Sequence, residues 1–471
     1  MILEAFEYET ELSPISVFKA VRQHLGAPCA LLESAMQDEG NQFSLIAATP
    51  VQELVSNDDT FTKLKTAIAT AKPFPKRFPF SGGLVGYFNW EIFDEVEPKT
   101  NHKSEVVSNK KNTDTYNLKL KTYHSKYPHA IFYEFSHFFA FDHAEQKLFA
   151  IQTQGDKAAF LALNQQILAT ARTLHDEPYD LAVLKTDQYA DFTRFDSEQT
   201  QSQFEAKVDW AKQKILDGEV FQIILSNGFR RSVGYKDGVD FYALLRQLEP
   251  TTHLVFYDFG PHGQVCGASP EILGAKRERK VIYSPIAGTR YRGKNQAEDQ
   301  RILTEMAQDP KENAEHDMLL DLGRNDLGKV CITESINIAQ EKYGRFFANV
   351  MHLVSDLEGT IKSELDAVDF FKAIFPAGTL SGAPKIRAID LIRQAEPSAR
   401  HLYGGAMGYF SADGNMELCI AIRSFFLKDG VARFRTGAGI VQDSVPEQEW
   451  LEVHNKAKSL CKIFNYVLEK S

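Results

Sequence analysis

The stretch Phe204 to Leu225, FEAKVDWAKQKILDGEVFQIIL, decides the fold class. Phe204, Val208, Ala211 and Ile215 recur on one helical face, and Asp217-Gly218 stops the helix. Val220 to Leu225 then reads as a buried strand, apart from Gln222. Toward the C-terminus, strands rich in Val, Ile and Phe alternate with helices of varied length and follow no regular βαβ period. That irregularity predicts an α+β fold rather than a doubly wound sheet. No repeat of solenoid period is present.

Toward the N-terminus, His175 to Glu198 is polar, contains Pro178 and reads as a crossing linker. Before it, Phe160, Leu163, Ile167 and Ala171 have helical spacing. Residues 1 to about 152 read as short strands and turns, ending in the apolar runs Ile131–Phe141 and Leu148–Ile151. The expected organisation is an N-terminal domain over 1–176, a linker over 177–200 and a second domain over 201–471. Seven lysines between Lys99 and Lys126, against Glu105 and Asp114, read as a solvated loop or hairpin.

A length of 471 residues suggests about three domains, or one large domain with a satellite. With 43% hydrophobic and 25% charged residues, the chain can bury a full core and is not disordered. Its 53 basic and 63 acidic residues give a net charge of -10, the wrong sign for a protein that lives on phosphate backbones, so nucleic acid is not an expected partner. No apolar run approaches the roughly 18 residues that cross a bilayer, and Met1-Ile2-Leu3-Glu4 lacks a basic leader, so the expectation is a cytoplasmic protein without a membrane partner. Five widely spaced cysteines with no Cys-x-x-Cys predict reduced, buried thiols rather than a disulfide framework or zinc site.

Chemistry concentrates in two Glu-x-x-Glu steps. Asp309-Pro310-Lys311-Glu312 has an N-cap, a proline at the first helical position and an acid at the third. Glu312 and Glu315 then share a stripe with Met318, Leu319 and Leu322. Ser444-Val445-Pro446-Glu447 reads as a capping box opening a last helix, where Glu449, Glu452 and Lys456 border the apolar stripe Trp450, Val453, Ala457, Leu460 and Phe464. Glu pairs three apart commonly coat a solvated helix face; two such pairs tied to apolar stripes point inward instead. Carboxylates brought together repel, and one protonates unless a cation sits between them. All-oxygen ligation of this kind suits Mg²⁺.

Glycine clusters at Tyr403-Gly404-Gly405 and Gly437-Ala438-Gly439 are either turns or places where backbone approaches an anionic ligand. Arg423 falls in a buried-looking strand and must be paired, by a protein acid or a ligand carboxylate. His352, among apolar residues, is more often a satisfied core histidine than a catalyst, and Gln222, in its apolar strand, is open to the plain reading of a side chain that hydrogen-bonds a neighbour. These residues alone reach a Mg²⁺-dependent enzyme acting on a small carboxylated metabolite.

The chain closely resembles the large subunits of anthranilate synthases, in the chorismate-utilising enzyme family, from about Phe204 to Phe464. The resemblance rests on Ser284–Arg290 (SPIAGTR), Ala314–Gly328 (AEHDMLLDLGRNDLG), Phe375–Lys385 (FPAGTLSGAPK) and Gly437–Val441 (GAGIV). It implies large mixed or antiparallel sheets with helices packed outside. It also implies four glutamates around Mg²⁺ at Glu312, Glu315, Glu449 and Glu452, of which Glu315 and Glu452 lie closest. The metal would hold the ring carboxylate of chorismate; Arg423, Tyr403 and the Gly437, Ala438 and Gly439 backbone would hold the pyruvyl side, with Gly288, Thr289 and Lys456 lining the site. Glu271 matches a general acid that protonates the departing 4-hydroxyl, Thr379 positions substrate, and His352 matches the histidine of the pyruvate-eliminating step.

The implied reaction is amination of chorismate by ammonia at ring carbon 2, then loss of pyruvate to give anthranilate, the first step from chorismate toward tryptophan. Gln222 stands where isochorismate and salicylate synthases carry a lysine base, and Ala287 where aminodeoxychorismate synthases carry a lysine nucleophile. The competing readings are an aminodeoxyisochorismate synthase, an aminodeoxychorismate synthase component and a non-catalytic tryptophan-binding subunit. A separate glutamine amidotransferase subunit is implied as the ammonia source, commonly in a heterotetramer. Leu31-Leu32-Glu33-Ser34 matches an effector segment with Ser34 as contact, but the usual companion Asn-Pro-Ser-Pro-Tyr-Met is here Glu249-Pro250-Thr251-Thr252-His253-Leu254. With Thr252, His253 and Leu254 at those positions, feedback by L-tryptophan is expected to be weakened or altered.

Overall fold

A computed structural model of the chain describes residues 2–7, 12–34, 43–74, 78–98, 127–174, 179–347 and 350–470. The lysine-rich stretch 99–126 and residues 175–178 of the expected linker lie outside the described residues. Among the described residues every strand pairing is antiparallel, and the sheet is built on its two longest members, Phe43–Ser56 and Ala130–Asp142, which pair along their whole length. These two strands are long where the sequence pattern reads as short strands. The fold is α+β, as the irregular alternation predicts.

Two arms leave this central pair. One runs from Phe43–Ser56 through Cys29–Glu33, His253–Asp258, Gln264–Ser269, Ser424–Lys428 and Val431–Ile440 to Gln222–Ser232. The other runs from Ala130–Asp142 through Gly83–Phe88, Ala406–Ser411, Met416–Ile420, Ile272–Arg277 and Lys280–Tyr283 to Val350–Thr360. Strands from the first 176 residues therefore hydrogen-bond directly to strands beyond residue 201 in both arms. The chain passes between arms at two corners: Pro270-Glu271, between Gln264–Ser269 and Ile272–Arg277, and Ala421–Arg423, between Met416–Ile420 and Ser424–Lys428. The corners are bonded together, Ala268 N–H donating to the Arg423 carbonyl at 3.1 Å and Ile420 N–H to the Glu271 carbonyl at 2.9 Å.

Helices form where the apolar spacing allows one face to be buried, several of them on side-chain caps. Helix Gln201–Leu216 starts on a Thr200/Gln203 capping box and buries Phe204, Val208 and Ala211. Helix Pro310–Val330 starts as predicted, with Asp309 Oδ1 accepting the Glu312 N–H at 3.2 Å. Helix Pro446–Glu469 buries Val453, Ala457, Leu460 and Phe464, but Ser444 is not its cap: Val445 takes that position, and the Ser444 hydroxyl accepts from Val441 N–H instead. Helices Pro14–Leu25 and Thr60–Thr70 lie in the region that reads as strands and turns; Ser13 and Ser16 make a capping box ahead of the buried Ile15, Phe18 and Val21. The strand expected from Val220 begins at Gln222, and its polarity is reversed: Phe221 is 73% exposed while Gln222 is buried, because Phe221 lies just outside the ladder. All five cysteines are buried and unbridged. Among the described residues, no helix is long and apolar enough to cross a membrane.

Beneath the site a buried ion pair fixes the first arm. The Arg400 guanidinium bonds Glu396 through Nε and Nη2 at 2.9 and 2.6 Å and also donates to the carbonyls of Leu380 and Ile224, while Glu396 accepts the Ser226 N–H and hydroxyl. Removing one member leaves the other charge buried and uncompensated. Glu396→Ala is expected to destabilise the protein by about 3–5 kcal/mol, read from urea unfolding followed by circular dichroism.

Candidate active site

A cavity of about 1240 Å³ opens between the ends of the two arms. The first arm contributes Gln222, Gly437 and Gly439, the second His352, and the strand Ile286–Tyr291, paired to Val350–Thr360, contributes Gly288. Glu271 and Arg423 come from the two corners, Glu312 and Glu315 from helix Pro310–Val330, and Glu449, Glu452 and Lys456 from helix Pro446–Glu469. Thr379 and Tyr403 complete the wall. Segments separated by more than two hundred residues thus place most of the sequence-predicted residues around one space. Ala438 is the exception: alternation along Val431–Ile440 turns it into the apolar core while its glycine neighbours face the cavity. The side chains of Ala287 and Thr289 lie outside the described ones; the Thr289 backbone pairs with His352.

The two glycine clusters differ: Gly404 lies in a turn, with φ at 73° and the Gly405 N–H donating to the Leu402 carbonyl at 2.9 Å, whereas Gly437 and Gly439 do not. Gly437 and Gly439 are in mid-strand, and a Cβ on either would fall 2.7 Å from the Tyr403 hydroxyl or 2.9 Å from the Gln222 amide nitrogen. Their missing side chains make room for those two polar groups. Gly288 has a positive φ of 65°, and a Cβ there would meet Glu312 Oε2 at 2.7 Å. Arg423, expected inside a strand, instead occupies its corner with φ at 46° and is half-buried. Its partner is a protein acid, Glu249, whose Oε2 accepts from Nη1 at 3.0 Å.

Each described contact of the glutamate quartet lowers its mutual repulsion. Glu312 pairs with Arg290 at 2.8 Å, Glu315 accepts from Gln222 Nε2 at 3.1 Å, and Glu452 pairs with Lys456 at 2.7 Å. Lys456 also donates to the Gly437 carbonyl at 3.1 Å. Among the described residues, no three His, Cys, Asp or Glu side chains are gathered tightly enough to form a metal cage. The donor set is anionic and all oxygen, which fits a hard divalent cation completed by water and a ligand rather than one enclosed by protein alone. The sequence pattern does not mark Arg290 or Glu249 as site residues. Arg290 closes the SPIAGTR run, whereas nothing local to Glu249 reports its partner 174 positions away.

Glu271 and His352 are driven in opposite directions. Burial raises the Glu271 carboxyl to about 7 against opposing pulls from Thr379 and Lys456. The Thr379 hydroxyl donates to Glu271 Oε1 at 2.8 Å. Burial lowers His352 to about 4, with Arg423, Arg345 and Lys456 adding to the effect. Its Nδ1 lies 3.0 Å from the Gly288 carbonyl and must carry the proton in the neutral ring, leaving the lone pair on Nε2. One cavity therefore holds a carboxyl that keeps its proton toward neutral pH and a histidine that stays uncharged.

Ser34, Thr252, His253 and Leu254 come together elsewhere, lining a smaller cavity of about 80 Å³ with Phe78 and Phe80. Its polar groups are engaged: the buried Glu33 accepts from Tyr242 and Arg246, and His253 faces Glu417, which pairs with Arg277.

With this architecture and this pair of cavities, the chain belongs to the chorismate binding enzymes, the family that matches residues 27–462. Within that family it is similar to proteins named anthranilate synthase component 1. It is 35% identical to that of Geobacillus stearothermophilus, covering 94% of this chain and 85% of the relative. It is 34% identical to that of Aquifex aeolicus, covering 96% and 92%. The crystal structure of anthranilate synthase component I from Streptococcus pneumoniae matches with a TM-score of 0.74 at 31% identity, covering 97% of this chain and 99% of that one. The menaquinone-specific isochorismate synthase of Escherichia coli, 16% identical with a TM-score of 0.71, shares the fold.

The raised Glu271 carboxyl has a measurable linkage. Its proton stabilises the fold fully below the unfolded carboxyl value near 4.5, and that contribution is lost as pH rises through about 7. Glu271→Gln should therefore be more stable than wild type at pH 8, by on the order of 3 kcal/mol, with the advantage vanishing near pH 4. Denaturant titrations at the two pH values check this, and equal stability at pH 8 contradicts it.

Proposed function

We propose that this chain is the chorismate-converting component of an anthranilate synthase, joining ammonia to chorismate and releasing water, pyruvate and anthranilate. The observation that carries the reading is the opposed pair in one cavity, Glu271 raised to about 7 and His352 lowered to about 4, which is an acid and a base ready at neutral pH. Similarity to anthranilate synthase component 1 over nearly the whole chain supports this choice among chorismate chemistries.

In the first step the protonated Glu271 gives its proton to the 4-hydroxyl, which departs as water while the ammonia lone pair bonds ring carbon 2. Thr379 holds the carboxyl in place and accommodates the carboxylate that results. The proton shed by the new ammonium returns to Glu271. In the second step His352 Nε2 takes the carbon 2 proton, the freed electron pair closes the aromatic ring, and the carbon 3 to oxygen bond breaks. The pyruvate enolate that departs takes up a proton on its methylene carbon to become pyruvate, and the proton on His352 balances it. Gln222 removes no proton; an uncharged amide suits a nucleophile that attacks through its own lone pair.

Glu312, Glu315, Glu449 and Glu452 would hold Mg²⁺, which when bound supplies positive charge to a ring carboxylate. Arg423, Tyr403, Lys456 and the backbone at Gly437 and Gly439 receive the pyruvyl side, and Gly288 and Thr289 line the ring. Ammonia comes from a separate glutamine amidotransferase subunit, in a heterotetramer. Residues 1–176 and 201–471 share the lining of the effector-like cavity about equally, and residues 201–471 carry the reaction site. That cavity is about 80 Å³, small beside the 150 Å³ or so of an enclosed cavity that seats a benzene ring, which supports a weakened or altered response to tryptophan.

Incubating the chain with chorismate, Mg²⁺ and ammonium at alkaline pH should give anthranilate and pyruvate in equal amounts, and a chelator should stop both. Accumulation of an amine that keeps the pyruvyl ether, or of the 4-amino isomer, contradicts the reading. Glu315→Gln should lower turnover by roughly two orders of magnitude or more with an unchanged circular dichroism spectrum. In the same assay tryptophan should inhibit weakly or not at all; tight competition with chorismate would refute the altered effector cavity.

A further inference from the structure

Glu249 caps the C-terminus of helix Gly238–Leu248, and its carboxylate reaches two other elements. Oε2 accepts from Arg423 Nη1 at 3.0 Å, and Oε1 accepts from the Ser459 hydroxyl. Ser459 belongs to helix Pro446–Glu469, where Glu449, Glu452, Lys456 and Ser459 follow one another at helical spacing along one face. Glu249, Arg423 and Ser459 all line the large cavity. Pro250 lines it too, while Thr252, His253 and Leu254 line the small one. By sequence Glu249 heads the effector-like segment; by structure its side chain belongs to the reaction site.

Arg423 sits on a corner with a left-handed backbone, so nothing regular in its own element dictates where its side chain goes. Among the described residues its guanidinium bonds only Glu249, and only through Nη1. The Nε and Nη2 donors remain for a ligand. A guanidinium pinned by one nitrogen presents the rest of its fork in one plane, the arrangement that recognises a carboxylate through two parallel bonds.

We propose that Glu249 is a positioning residue for substrate recognition: tied to the carboxylate-bearing helix through Ser459, it aims Arg423 at the pyruvyl carboxylate of chorismate. This rests on the reading of Arg423 as a substrate ligand. What the site needs from Glu249 is an oxygen acceptor at that point; its negative charge is incidental. Contact with the pyruvyl carboxylate is made both before and during the chemical steps, so a misplaced arginine weakens binding without slowing them.

Four single variants and one double variant test this by steady-state kinetics in chorismate at saturating ammonia and Mg²⁺, with thermal melting to verify folding. Glu249→Gln keeps the acceptor and loses the charge, and its KM should stay within about threefold of wild type. Glu249→Asp keeps the charge and withdraws the acceptor, and Ser459→Ala unties it; both should raise KM, the first by about tenfold, with kcat within about threefold. Arg423→Gln should raise KM more, and adding Glu249→Asp to it should cost nothing further. The proposal is overturned if Glu249→Asp has a wild-type KM, if Glu249→Gln is as impaired as Glu249→Asp, if kcat falls as far as kcat/KM, or if the losses add. A wild-type KM in Arg423→Gln instead overturns the assignment of Arg423, and with it the purpose given to Glu249.

Discussion

Like charge brought together by folding is the constraint around which this site is arranged. Helices Pro310–Val330 and Pro446–Glu469 each turn two carboxylates toward one cavity. Such groups would protonate or push apart if left alone. The described fold answers three of them: Arg290 from a strand for Glu312, the Gln222 amide from another strand for Glu315, and Lys456 from the same helix for Glu452. The glycines follow from this crowding, since Gly288 and Gly439 stand where a methyl group would strike Glu312 or Gln222.

The second organising feature is the pair of corners where the chain leaves one arm of the sheet for the other. A strand holds its side chains at fixed intervals on two faces, whereas a corner can aim one side chain into the space between arms. Glu271 and Arg423 occupy the two corners, and backbone hydrogen bonds across them keep the groups in register. Burial at the Glu271 corner raises a carboxyl to about 7, and burial beside charged neighbours lowers His352 to about 4. Opposite shifts in one cavity come from position: desolvation disfavours the charged form of both groups, and that form is anionic for one and cationic for the other.

Segment 249–254 connects the two cavities over six consecutive residues, beginning in the large one and ending in the small one. The small cavity has its acids and histidine already engaged, so a ligand entering it must break existing bonds as well as find room. The large cavity retains donors for an anionic guest.

Much of the site was legible in the sequence. The Glu-x-x-Glu steps, the Asp309 cap, the amphipathic faces and the long motif runs are local signals, and local signals survive without knowledge of what packs where. The same locality explains the misreadings. Arg423 reads as part of a strand because its apolar neighbours continue on both sides of a corner, and Gln222 reads as the polar exception in an apolar run although it is buried and Phe221, just before the strand, is the exposed residue. The antiparallel two-armed sheet, the pairing of Glu249 with Arg423 and the divergence of Glu271 from His352 belong to the tertiary structure alone. Residue type and spacing fix which side chains a helix or strand can present; distance, burial and dielectric between segments hundreds of residues apart exist only once the chain has folded.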